Sequence, residues 1–224
     1  MINELSAREL FPDIESRTVA AELILSEIYP WQAIPKIKEY IMTVIASLPA
    51  GEYEERGDGV YISKKAHVAA SACIKGPTVI GDDSEIRHCA FIRGGAIIGK
   101  GVVIGNSVEI KNSIIFDMAQ IPHFNYVGDS IIGYRAHLGA AALTSNVKSD
   151  KSPVCIRCSG ERIETGFKKL GAILGNMAEI GAGSVLNPGT VIGRGASVYP
   201  LSSVRGYVPA DSIYKNAGEI VPRY

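Results

Sequence analysis

The chain counts in sixes. From Ile62 an aliphatic residue returns at every sixth position, through Val68, Ile74 and Ile80 and onward to Ile110. The count slips by one and resumes at Ile115, Ile121 and Val127. It slips again, resumes at Ile132, Leu138 and Thr144, and after a long excursion runs from Leu174 to Val204. A period of six matches neither the ~3.6 of a helix nor the 2 of an alternating strand. It fits a parallel β-helix, in which each six-residue rung is a short strand and a corner. The aliphatic residue then points into the shaft, and the glycine that often follows, as in Ile80-Gly81 and Ile98-Gly99, frees the corner from Cβ restriction. The 21 register positions, at three rungs per coil, predict seven coils. Such a solenoid buries a continuous core and needs caps at its ends.

Composition removes several alternatives. Lys plus Arg number 23 and Asp plus Glu number 23, so no basic field exists to hold nucleic acid or an anionic membrane. No apolar run reaches the ~18 residues of a membrane span, and "MINELSAREL" lacks the apolar stretch of a signal peptide. A cytoplasmic protein with free thiols is the expectation, since four cysteines in 224 residues make no disulfide framework.

Residues 1–50 break the rhythm. "SRTVAAELILSEI" and "IPKIKEYIMTVIASL" read as helices, the second with Ile34, Ile37, Ile41, Val44, Ile45 and Leu48 at helical spacing. They predict a short helical cap that covers the first coil or packs between subunits. The shaft spans 51–206, with an inserted loop at 145–173, and a tail follows at 207–224. The loop carries Lys148, Lys151, Arg157, Arg162, Lys168 and Lys169. Long excursions from a rigid scaffold are where sites are built. Within it, Cys155 and Cys158 form a CxxC without the further ligands that a zinc site needs.

One rung stands out. "IPHFNYVGDS", residues 121–130, places a histidine, an asparagine, a tyrosine and an aspartate behind a proline in an otherwise monotonous repeat. Histidine titrates near neutrality and suits proton transfer. Asp129 or a backbone carbonyl is a candidate to orient the His123 ring.

The hexads, together with "VEIKNS", "IPHFNYVGDS" and "TSN", resemble the acetyltransferase half of the bifunctional enzymes that make UDP-N-acetylglucosamine. The branch most alike is the archaeal-type sugar-1-phosphate nucleotidylyltransferase/acetyltransferases, which share the "KKLGAILG" re-entry. The resemblance covers about residues 60–206. It implies a left-handed parallel β-helix, acetyl-CoA as co-substrate with no metal, and sites between the subunits of a homotrimer. It implies His123 as general base. Arg93 and Lys111 would hold a sugar phosphate, and Tyr126 and Asn146 would contact the sugar. His137 and Lys151 fall at further substrate positions, and Ala140, Ala182 and Lys215 along the coenzyme. Amides near Ala140 are candidates for the oxyanion of the tetrahedral intermediate. His137 stands where the bacterial enzymes have asparagine, and Val147 where they have tyrosine.

The implied function is N-acetylation of a hexosamine-1-phosphate or a nucleotide-linked aminosugar. No pyrophosphorylase activity is expected, because residues 1–50 are too short for a nucleotidyltransferase domain and lack its glycine-rich signature. The first alternative is a non-catalytic sugar-phosphate or nucleotide-sugar-binding subunit. The second is a zinc lyase like the γ-type carbonic anhydrases, which are built on the same scaffold with three converging histidines. His88, His123 and His137 lie 35 and 14 residues apart, and their sequence contains no close ligand pair.

Overall fold

The structure, a computed structural model, describes residues 2–215 and 218–223. Met1, in the expected cap, and Asn216, Ala217 and Tyr224, in the expected tail, lie outside the described residues. From Val60 onward the chain winds as a three-faced parallel β-helix. Its faces are a nine-stranded sheet A, a nine-stranded sheet B and a seven-stranded sheet C. Sheet A is edged by Tyr53–Glu55, antiparallel to Val60–Ser63. Sheet B is edged by Ile220–Pro222, antiparallel to Ser212–Tyr214. Without those edges eight parallel rungs remain on faces A and B, one more than the seven coils expected. The extra coil comes from the expected tail, because Tyr207–Val208 pairs with Thr190–Ile192 and Ser212–Tyr214 with Ser197–Val198.

The register aliphatics fill the shaft as the period of six requires. Ile80, Ile98, Ile115, Ile132, Leu174 and Ile192 stack along face A, all at most 1% exposed. Thr144 takes a register position with its hydroxyl satisfied by the Gly128 N–H and the Ser130 hydroxyl. Corners are closed by small polar residues. The Ser84 hydroxyl donates to the Gly99 carbonyl and accepts the Val102 N–H.

Face A is apolar on its outer side as well. Val79, Ile97, Ile114, Ile131, Ile173 and Val191 each precede a register residue and point away from the shaft into a second core. The N-terminal helices supply the other half of that core through Leu10, Phe11, Trp31, Ile34, Ile37 and Ile41. The helix Ile37–Ala46 follows a 3₁₀ turn, Pro30–Lys36, that accommodates Pro35 without a backbone donor. The helical segment therefore lies along one flank of the shaft and does not plug its end. Backbone bonds fix it there: the Asn176 N–H donates to Leu10 O and the Asp117 N–H to Arg17 O. Burying a large aliphatic or aromatic side chain stabilises by roughly 1.5–3 kcal/mol, so the cap is an integral part of the fold.

The excursion at 145–173 contains a hairpin, Cys155–Cys158 paired with Glu161–Glu164. Strand alternation sends Ile156 and Cys158 into the second core and leaves Cys155 and Arg157 on the outer face. The two cysteines of the CxxC therefore face opposite ways.

Candidate active site

Face C is the polar face. Its ladder aligns Phe91 with Glu109, Glu109 with Tyr126, and Tyr126 with Leu143, while Lys111 aligns with Gly128. Residues that share a column on adjacent rungs sit about 4.8 Å apart. Four of the expected site residues are gathered here. The Arg93 guanidinium donates to Glu109 Oε1 at 2.8 Å. The Lys111 ammonium donates to Asp129 Oδ2 at 2.9 Å. The Asn146 amide donates both to the Tyr126 hydroxyl at 3.1 Å and to Asp129 Oδ2 at 2.5 Å. Asn112 completes the shell of Asp129 through Oδ1 at 2.9 Å.

Asp129 is the hub of this network. It is 5% exposed and receives three side-chain donors. A buried carboxylate needs that many partners to offset its lost hydration. Because its oxygens are engaged, Asp129 does not orient the His123 ring, in contrast to one of the two sequence expectations. Burial, with the charges of Asp129 and Glu109 beside it, pushes the Tyr126 phenol above its ordinary value. Tyr126 is therefore a neutral hydroxyl over the whole physiological range.

His123 ends the face-B strand Gln120–His123, one corner before Tyr126. Its side chain is exposed, and its backbone is held from two sides. The His123 N–H donates to Asn125 Oδ1 at 3.0 Å, and the His123 carbonyl accepts the Ala141 N–H at 2.9 Å. Asn125 is buried and donates onward to Gly139 O and Ala142 O, each at 2.8 Å. The His123 ring has no hydrogen-bond partner among the described residues.

The ladder register extends the His123 position along the shaft. His123 pairs with Asn106 below, and the alignments of Gln120 with His137 and of His137 with Glu179 put Ala140 and then Ala182 above it. Among the described residues no carbonyl accepts the N–H of Ala140 or of Ala182. Two exposed alanines with open amides thus continue the histidine's column.

The remaining expected residues lie elsewhere. His137 is on face B, where its Nδ1 is 2.9 Å from Glu179 Oε2, so it does not join the face-C network. Lys151 sits exposed at a turn of the excursion with φ 56°. Lys215 follows the face-B strand Ser212–Tyr214, its ammonium 3.4 Å from Glu219. The three histidines of the zinc reading are dispersed as well, with His88 beside the Ser71 hydroxyl and His137 on Glu179. Among the described residues no group of three or more histidines, cysteines or acids could hold a metal ion, and no helix is long and apolar enough to cross a membrane. Sequence reasoning passed over Glu109 and Asn112, and it noted Asn125 in the unusual rung without giving it a role. The signal for Glu109 was its place two residues before Lys111, on the same side of one strand.

Residues 74–165 match the family model described as the GMPPB C-terminal domain. The bifunctional sugar-1-phosphate nucleotidylyltransferase/acetyltransferase of Sulfurisphaera tokodaii is 35% identical over 102 residues, 46% of this chain and 25% of that protein. The bifunctional protein GlmU of Methanocaldococcus jannaschii is 38% identical over 80 residues, 36% of this chain and 19% of that protein. The chain thus spans about a quarter of the length of these bifunctional relatives or less. Among solved structures, WeeI from Acinetobacter baumannii AYE aligns with TM-score 0.41 and 18% identity, over 69% of this chain and 57% of that one. The acetyltransferase YaiX of Escherichia coli O6:K15:H31, itself uncharacterized, is 36% identical over 157 residues, covering 70% of this chain and 68% of its own length. With this extent of identity on a hexad-built parallel β-helix, the chain belongs to the hexapeptide-repeat acetyltransferases.

Proposed function

We propose that the protein transfers an acetyl group from acetyl-CoA to the amine of a hexosamine-1-phosphate or a nucleotide-linked aminosugar, with His123 as general base. The observation that carries this reading is the column of His123, Ala140 and Ala182 beside a polar face that holds Tyr126, Asn146, Arg93 and Lys111. Acetyl-CoA supplies the thioester carbonyl that is attacked. An amine must lose a proton to complete that attack, and the His123 ring has no internal partner competing for it. The amine nitrogen bonds to the carbonyl carbon, the C–S bond breaks, and the proton held on His123 passes to the leaving thiolate. The open Ala140 N–H, one rung from His123, is the candidate donor to the oxyanion. Ala182, one rung further, extends the same corridor for the coenzyme. Tyr126, neutral and half-buried, can donate to or accept from a sugar hydroxyl, and Asn146 steadies it. Face A is occupied by the chain's own helices. Faces B and C therefore remain for neighbouring subunits, in keeping with sites between the members of a homotrimer.

One observation bears on phosphate binding at this face in either reading. Arg93 and Lys111 each already pair with a carboxylate, Glu109 and Asp129. A phosphate arriving there shares them with those acids, which weakens its hold.

The test is thiol release from acetyl-CoA with glucosamine-1-phosphate, galactosamine-1-phosphate and UDP- or dTDP-linked aminosugars. Turnover with one of them is expected. His123→Ala should lower it by about 10²–10⁴-fold with the fold intact, and undiminished turnover in that variant removes His123 as the base. Sugar-phosphate binding without turnover across the panel would establish the binding subunit instead.

A further inference from the structure

The hairpin of the excursion builds a second charged site that the proposed chemistry does not use. Its outer face meets the corner between faces C and A and encloses a groove of 450 Å³. Lys148, Arg157, Arg162 and Arg205 line it, beside Cys155, Pro188 and Gly206, and no carboxylate is among the lining residues. Two acids stand nearby: Asp150 is 3.5 Å from Lys148, and Glu164 is 2.8 Å from Arg162. Among the described residues Arg157 and Arg205 have no acidic partner. Four cations against two acids leave a local surplus of two positive charges, in a chain whose charges balance overall at 23 and 23.

The arrangement is costly as it stands. Arg157 and Arg162 are directly opposed across the hairpin ladder. Like charges in that relation destabilise a sheet. The hairpin is not free to relieve the repulsion, since Ile156 and Cys158 anchor its other side in the second core. A polyanion in the groove would remove the penalty, and two guanidinium forks suit bidentate phosphate contacts.

The groove is also distinct from the Arg93–Lys111 pair. Lys111, Gly128, Ser145, Asn187 and Arg205 follow one another up the face-C edge, so Arg205 stands four rungs, or about 19 Å, from Lys111. One phosphate cannot serve both places.

We infer that the groove lined by Lys148, Arg157, Arg162 and Arg205 is a binding site for an organic diphosphate. Two molecules carry that group in the proposed reaction, a nucleotide-linked sugar and coenzyme A. The identification of these two sources rests on the proposed function; the anion site itself does not.

The experiment titrates the full chain with inorganic pyrophosphate, UDP, coenzyme A and dephospho-coenzyme A by calorimetry, at low and high salt. Pyrophosphate should bind, and more weakly in high salt. The double variant Arg157→Gln/Arg205→Gln should weaken its binding roughly tenfold or more, while Lys64→Gln on the first coil should not change it. Loss of UDP affinity in the double variant assigns the groove to the nucleotide. Equal losses for coenzyme A and dephospho-coenzyme A assign it to the coenzyme's diphosphate. If pyrophosphate fails to bind, or binds the double variant as it binds the parent, the inference is wrong. The single variant Arg157→Gln, without ligand, should hold or raise the Tm by relieving the opposed charges, whereas a merely structural role for Arg157 would lower it. No turnover is read in these titrations, so a silent acetylation assay leaves this result standing, and absent pyrophosphate binding leaves the His123 chemistry untouched.

Discussion

Asn125→Ala tests how the His123 rung is held. The Asn125 side chain is 2% exposed and makes three hydrogen bonds, accepting from the His123 N–H and donating to Gly139 O and Ala142 O. Alanine removes all three. Gly139 O keeps a second donor, the Ala142 N–H at 3.0 Å. The His123 N–H and Ala142 O are left without a partner among the described residues. An unsatisfied buried polar group costs about 1–3 kcal/mol, so two of them, partly rescued by water, cost about 3 kcal/mol. For a chain of this size that lowers Tm by roughly 6–12 °C. Differential scanning calorimetry reads it directly. Asn106→Ala is the control: it lies on the rung below, its amide bond to His88 O is 3.3 Å and exposed, and it should fall within about 0.5 kcal/mol of the parent. A Tm drop below 2 °C for Asn125→Ala, or equal drops for both variants, would refute the claim that buried asparagine hydrogen bonds fix this corner.

Two further predictions concern the shaft. A Cβ on Gly105 would lie 1.5 Å from Pro122 O, a backbone atom of the next coil that cannot step aside. Gly105→Ala should therefore destabilise by about 3 kcal/mol or more, measured by urea unfolding, and a near-neutral result would mean the coils part more easily than their packing implies. Asp82 accepts the Ser63 hydroxyl at 2.6 Å, which, with Lys65 and Lys100 nearby, holds its carboxyl below the ordinary 3.8. A depressed folded value gives stability that is present above the unfolded value and lost as pH falls through the folded one. Asp82→Asn should thus cost stability at pH 7, and the cost should shrink at pH values below 3.8; a Tm difference that stays constant from pH 7 into the acid limb would contradict the assignment.

Much of the architecture was legible before any coordinates. The inward aliphatics recur at every rung, and a core built by stacking identical units leaves little freedom in what a period of six can mean. The His123 rung was legible because a proline and four polar residues interrupt that rhythm. The cap's position was written in the sequence but went unread. Val79-Ile80, Ile97-Ile98, Ile114-Ile115, Ile131-Ile132, Ile173-Leu174 and Val191-Ile192 are aliphatic doublets on every third rung, and a doublet marks a strand buried on both faces. They announce a covered flank along the shaft, where the helices were expected over the first coil or between subunits. The added coil at 207–214 was hidden because the step from Val204 to Val208 is two residues short of six, after which Tyr214 returns at six while the ladder continues.

The sequence by itself determined the shaft, its period, the helical character of the first fifty residues and the rung at His123 that departs from the repeat. All of these follow from local pattern, which side-chain alternation and corner sterics convert directly into geometry. Only the tertiary structure decided which side chains meet across coils. It gave Asp129 to Lys111, Asn112 and Asn146 instead of to His123, placed His137 on Glu179, and set Arg157 against Arg162 above Arg205. Those arrangements bring together residues up to 48 positions apart, as where Arg157 and Arg205 line one groove. Their partners are fixed by coil register and by where the excursion folds back, and both depend on packing of the whole chain.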